Sequence, residues 1–264
     1  MADIALADRV FAPHYALPLD HGCLAARVAL RAAPSAEARA VSELLRGETF
    51  AVVEASGDWA WGFARADHYV GYVPVAALGP VIAATHIVSA PAALAFAQAD
   101  IKAPPAERLP MGVRVAALSE DGPFIGAAEG FIHRRHLAPI ETREADPVAV
   151  AERLVGAPYL WGGRSGDGVD CSGLVQLALA RAGIAAPRDA DQQQAALGEP
   201  LAEGAPLARG DLVFWPGHVG LMADAERLVH ANAHWMMVTI EPLADVIARL
   251  PAETRTPLIK RIAP

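Results

Sequence analysis

The chain has only two cysteines, Cys23 and Cys171, in 264 residues. Two are too few for a disulfide framework and offer no metal-type spacing, so both are expected as reduced thiols. Basic residues are also in the minority, 22 Lys and Arg against 30 Asp and Glu. No basic stripe interleaved with aromatics runs through the sequence, which argues against a nucleic-acid groove. Long apolar runs are missing as well, since no segment reaches the roughly 18 uncharged apolar residues of a membrane helix. The first residues, MADIALADRVFAPHYALPLDHG, carry Asp3, Asp8, Arg9 and Pro13 where an export signal needs a basic start and an unbroken apolar stretch. The expectation is a soluble, cytoplasmic protein with no membrane or nucleic-acid partner.

What the sequence does have is apolar content, 53% of its residues, and a length suited to two or three domains. Up to about residue 82 it shows short apolar runs broken by Gly, Asp and Pro, the pattern of a small β-barrel. A second segment, 83–140, repeats the plan in weaker form: Gly71-Tyr72-Val73 is answered by Gly130-Phe131-Ile132, and Leu78-x-Pro80 by Leu137-x-Pro139. The Gly-to-Pro spacing is the same in both copies, which predicts a related, degenerate barrel. The polar, proline-bracketed stretch PIETREADP reads as a linker. Asp146 followed by Pro147 then has the chemistry of a helix start, opening a third segment, 141–264.

In that third segment GVDCSGLVQ places Cys171 directly after Asp170, a natural N-cap for a helix with Leu174, Val175, Ala178 and Leu179 on its apolar face and Gly183 at its end. Strands are expected over 211–215, 218–222, 227–233 and 236–240, the first pair joined by Pro216-Gly217. One helix on an antiparallel sheet gives an α+β domain. A thiol at a helix start meets unpaired N–H groups and the positive end of the helix dipole, so Cys171 is expected to be biased toward thiolate. If the strands starting at His218 and carrying His230 form a hairpin, one imidazole takes the thiol proton and the other orients it. Trp215, Trp235, Met236 and Met237 read as packing residues.

The runs PYLWGG (158–163), DCSGLVQ (170–176), PRDADQQ (187–193), GDLVFW (210–215), HVGLM (218–222) and LVHAN (228–232) together resemble the NlpC family of papain-like cell-wall peptidases. The resemblance implies Cys171 as nucleophile, His218 as general base, His230 as the residue that orients it, and Tyr159 beside the oxyanion. It implies that Asp170 and Ser172 meet the D-glutamate part of a peptidoglycan stem peptide, with Arg188 and Asp189 of PRDADQQ also among the substrate-binding residues. Ala190 stands where relatives often carry serine. With paired SH3-like barrels in front, the chain is similar to cytosolic γ-D-glutamyl-diamino acid endopeptidases that trim recycled muropeptides. These cut peptides with a free N-terminal L-Ala, and the resemblance implies Tyr69 and Glu43 for its amine. No cofactor or metal is called for. A Cys-His amidase or acyltransferase on another amide, or an inactive wall-peptide binding module, are the alternatives left open.

Overall fold

The computed structural model describes residues 1–262. The chain separates into two compact units, Met1–Glu141 and Thr142–Pro264.

In the first unit, residues 19–79 form a seven-stranded sheet. Its spatial order is Ala40–Leu45, Arg27–Arg31, Val70–Pro74, Trp59–Ala64, Thr49–Ser56, Leu19–Cys23 and Leu78–Gly79. Alternating residues turn Leu30, Leu44, Phe50, Ala60 and Val73 into one buried cluster, with Cys23 inside it and Tyr69 packed against it. Residues 86–139 add a three-stranded and a five-stranded sheet, with Val88, Leu109, Val113 and Ile132 buried among them. The repeated motif folds alike in both places: strand Val70–Pro74, a 3-10 turn at Val75–Ala77 and strand Leu78–Gly79 are matched by Gly130–His133, Arg134–His136 and Leu137–Pro139. Two small barrels are expected from the sequence, and these ladders form one seven-stranded sheet and two smaller ones. Among the described residues the outer strands of each sheet are not hydrogen bonded to one another, so the sheets are open.

In the second unit Asp146 accepts the N–H of Val148 and Pro147 occupies the first helical turn, starting the helix Pro147–Glu152. The helix Cys171–Arg181 follows, capped by Asp170 and ended near Gly183, which holds φ +83°, the left-handed conformation that glycine adopts without strain. Leu174, Val175, Ala178 and Leu179 are fully buried, each large side chain contributing about 1.5–3 kcal/mol relative to exposure. This helix packs on the strands His218–Met222 and Arg227–Asn232. They lie inside a six-stranded sheet ordered Glu199–Pro200, Leu258–Arg261, Leu212–Trp215, His218–Met222, Arg227–Asn232, Met237–Pro242. Val213, Trp215, Met222 and Leu228 meet Leu243 and Val246 of a short helix, Leu243–Arg249. No helix among the described residues is long and apolar enough to cross a membrane.

Candidate active site

Asp170 does more than begin the helix. Its Oδ1 accepts the N–H of Gly173 at 2.8 Å, and its Oδ2 accepts the N–H of Gly162 at the same distance. Arg188 closes on both oxygens, Nη1 to Oδ1 at 2.9 Å and Nη2 to Oδ2 at 2.7 Å, and Nη1 also donates to the Ser172 hydroxyl at 2.8 Å. Arg188 is 2% exposed and Asp170 6%. Gln193 ties the same turn to the following helix, donating to the carbonyls of Ser172 and Pro187. Gly173 is required by this closeness, because a Cβ there would strike the Gly163 carbonyl and the Asp170 carboxylate. The side chains of Asp170, Ser172 and Arg188, expected to meet substrate, are thus bonded to one another. These bonds hold the backbone on either side of Cys171.

The hairpin supplies the second half of the site. Trp215 pairs with His218 across Pro216-Gly217, and Gly217 takes φ +73° to make the turn. Its carbonyl lies 3.9 Å from the Cys171 Sγ. On the neighbouring pair, Met222 faces Leu228. His218 and His230 stand an even number of residues from that pair, so both imidazoles project from one face. Gly220 permits the approach: a Cβ there would come within 3.0 Å of the His230 Cβ.

The two rings are hydrogen bonded, His218 Nε2 to His230 Nδ1 at 2.8 Å, and His230 Nε2 meets Glu241 Oε1 at 2.8 Å. An ionised carboxylate only accepts, so His230 carries its proton on Nε2 and accepts on Nδ1. His218 must then donate from Nε2, and its Nδ1 is left bare, with a lone pair to receive a proton. Burial and the neighbouring His230 push the His218 imidazole down to about 3, so it stays neutral at physiological pH. Burial also lowers His230, while the bond to Glu241 pulls the other way. Burial alone would raise Glu241, but bonds from Arg249, His230 and Trp235 hold it near 2, so it is ionised.

Cys171 departs from the sequence expectation. It is 6% exposed, and burial, followed by the charge of Asp170, pushes its thiol up to about 11; N–H bonds from Val219 and Ser172 and the charge of Arg188 act in the opposite direction without prevailing. The helix start stabilises the anion, yet desolvation outweighs it. The resting pair is therefore a neutral thiol and a neutral imidazole.

Tyr159 lies on the loop before the helix, its N–H bonded to the Met236 carbonyl at 2.9 Å. Burial, then the charges of Cys171 and Asp170, raise its hydroxyl to about 12, so it remains a donor. Asp189 precedes the helix Ala190–Ala196 and is partly exposed. Glu43, 3% exposed, pairs with Arg27 at 2.9 Å. The Tyr69 N–H bonds to Asp67 at 3.0 Å. Sequence reasoning missed Glu241 and Arg249, which are bonded at 2.7 Å. The available signal was an acidic residue at the end of the apolar run MVTIEP, two positions after Thr239, whose backbone faces His230.

Residues 156–249 match the NlpC/P60 family, and residues 30–78 match the bacterial dipeptidyl-peptidase SH3 domain. Over 131 residues the chain is 31% identical to the γ-D-glutamyl-L-lysine dipeptidyl-peptidase of Bacillus subtilis (strain 168), covering 45% of this chain and 43% of that protein. Over 106 residues it is 37% identical to dipeptidyl-peptidase 6 of Lysinibacillus sphaericus, covering 37% and 36%. The matches span less than half the length of these relatives. An NlpC/P60 family protein from Bacillus cereus ATCC 10987 superimposes with a TM-score of 0.78 at 20% identity, over 93% of this chain and 100% of that one, which shows a shared fold.

Proposed function

With an NlpC/P60 domain at 156–249 behind a bacterial dipeptidyl-peptidase SH3 domain at 30–78, the chain has the makings of a hydrolase, and we propose that it is a cysteine peptidase. Its substrate is a peptidoglycan stem peptide, cut between γ-D-glutamate and the diamino acid. The observation that carries this reading is the ordered chain His218, His230, Glu241, which leaves His218 neutral with an unprotonated Nδ1.

In the first step His218 Nδ1 takes the Cys171 proton as Sγ attacks the γ-glutamyl carbonyl. Proton transfer and bond formation go together because neither ion of the pair is stable beforehand. The carbonyl oxygen gathers negative charge, and the Cys171 backbone N–H with the Tyr159 hydroxyl are the proposed donors to it. The first N–H groups of a helix have no intrahelical acceptor, so they are available for this. Collapse of the intermediate breaks the C–N bond, His218 returns its proton to the leaving amine, and a thioester to Cys171 remains. Water, deprotonated by His218, then releases the L-Ala-γ-D-glutamate portion and restores the thiol.

The finer reading is that the L-Ala nitrogen is free, as in peptides from which the sugar has been removed, and that Tyr69 serves the amine end of that substrate. Two relatives named as dipeptidyl-peptidases support it, as does the SH3 match that surrounds Tyr69. The test is incubation with L-Ala-γ-D-Glu-meso-diaminopimelate and with its N-acetylated form, with products identified by mass spectrometry. Release of L-Ala-γ-D-Glu, at least tenfold faster from the free peptide and with the preference reduced in Tyr69→Phe, is expected. Equal rates on both peptides would remove the free-amine requirement, and no cleavage of either would remove the peptidase assignment.

A further inference from the structure

A cavity of about 320 Å³ opens beside the two imidazoles in the second unit. His218 and His230 form one wall, Trp215, Val246 and Leu250 supply apolar surface, and Arg249 stands at its side. In the proposed reaction His218 hands its proton to the leaving amine. The residue on the amine side of the broken bond must therefore lie near His218, and this cavity is one space that His218 lines.

The charge of the lining is one-sided. Among the described residues no Asp or Glu side chain lines the cavity, while Arg249 does. Arg249 spends one nitrogen, Nη1, on Glu241 at 2.7 Å. The rest of its planar fork has no bonded partner among the described residues, and a guanidinium fork matches a carboxylate in shape as well as charge. A bare ammonium would meet only like charge there.

We infer that this cavity is the leaving-group pocket and that Arg249 selects a diamino acid through a carboxylate. This rests on the peptidase reading above. The carboxylate has two sources, the main-chain one at the peptide's C-terminus or the side-chain one that diaminopimelate has and lysine lacks. Arg249 then has two tasks: one nitrogen holds Glu241 in line behind His230, and the others recognise the departing residue.

The experiment compares kcat/KM for L-Ala-γ-D-Glu followed by meso-diaminopimelate, by L-lysine, or by L-lysine amide, in the wild type and in Arg249→Gln. The wild type is expected to lose about tenfold or more at one step of that series, the size of one charge-assisted hydrogen bond. A loss between diaminopimelate and lysine identifies the side-chain carboxylate; a loss between lysine and its amide identifies the main-chain one. In Arg249→Gln that step should vanish, whereas damage passed through Glu241 slows all three peptides equally. Wild-type rates within about twofold of each other, or a step that survives in Arg249→Gln, would overturn the pocket while leaving the peptidase reading intact. Failure to cleave any of the three would overturn both.

Discussion

Cys171 and Cys23 are both buried thiols, 6% and 2% exposed, and burial raises both, to about 11 and about 12. By acidity they are near twins. Their surroundings differ in kind. The Cys23 Sγ faces the carbonyls of Ala25 and Leu44, and the charges of Glu48 and Glu43 disfavour its anion further. Cys171 has the N–H groups of Val219 and Ser172 beside its sulfur and sits at the mouth of the hairpin that carries the imidazole pair. In the proposed reaction, what separates Cys171 from a core thiol is a base that can take the proton and donors that can hold the resulting charge.

The largest break in that comparison is to remove one sulfur at a time. Cys171→Ala should abolish hydrolysis with the fold intact, and Cys23→Ala should keep the wild-type kcat while costing about 1 kcal/mol of stability. Turnover by Cys171→Ala would end the thiol mechanism.

His218→Ala makes Cys171 resemble Cys23, a buried thiol with no base. A drop in kcat of about 10² to 10⁴ is expected. His230→Gln should retain more activity, since the base survives and only its orientation suffers. A reversed order in steady-state assays would exchange the two roles.

Arg188→Ala tests the scaffold around the sulfur. It leaves the Asp170 carboxylate buried and without its cation, which costs about 3–5 kcal/mol and should appear in thermal or denaturant unfolding. A loss below about 1 kcal/mol would show that the pair does not hold the helix start.

The smallest expected effect separates a neutral resting pair from a preformed thiolate. With the thiol near 11 and His218 near 3, the thiolate fraction rises about tenfold per pH unit through neutrality. Iodoacetamide labelling of Cys171 should accelerate accordingly between about pH 7 and 9 and stay ahead of Cys23 throughout. A labelling rate flat over that range would mean a thiolate–imidazolium pair.

The helix start, the hairpin and the two histidines were legible in the sequence because each rests on local chemistry: a cap before an apolar run, Pro-Gly between two strands, an imidazole on each. The thiol's acidity was not. It depends on how much of the chain closes over Cys171, and the local dipole argument omitted that desolvation. Glu241 escaped notice because its role follows from register, and nothing in MVTIEP says which strand lies alongside. The pairing of Arg188 with Asp170 was not legible either, because eighteen residues separate them and only the folded chain brings the two side chains together. The sheets of the first unit read as two small barrels because short strands with turns look the same whether a sheet is open or closed.

In the proposed reaction Cys171 forms a thioester with the γ-glutamyl carbonyl. This step is tested most directly by mixing the protein with L-Ala-γ-D-Glu-meso-diaminopimelate, quenching in acid within the first turnover, and mapping the mass added to each peptide of the chain. One L-Ala-γ-D-glutamyl group is expected on Cys171, lost on exposure to neutral hydroxylamine and absent from Cys171→Ala. Dipeptide release with no such adduct while the acylation step is fast, or an adduct on any other residue, would contradict the proposed thioester.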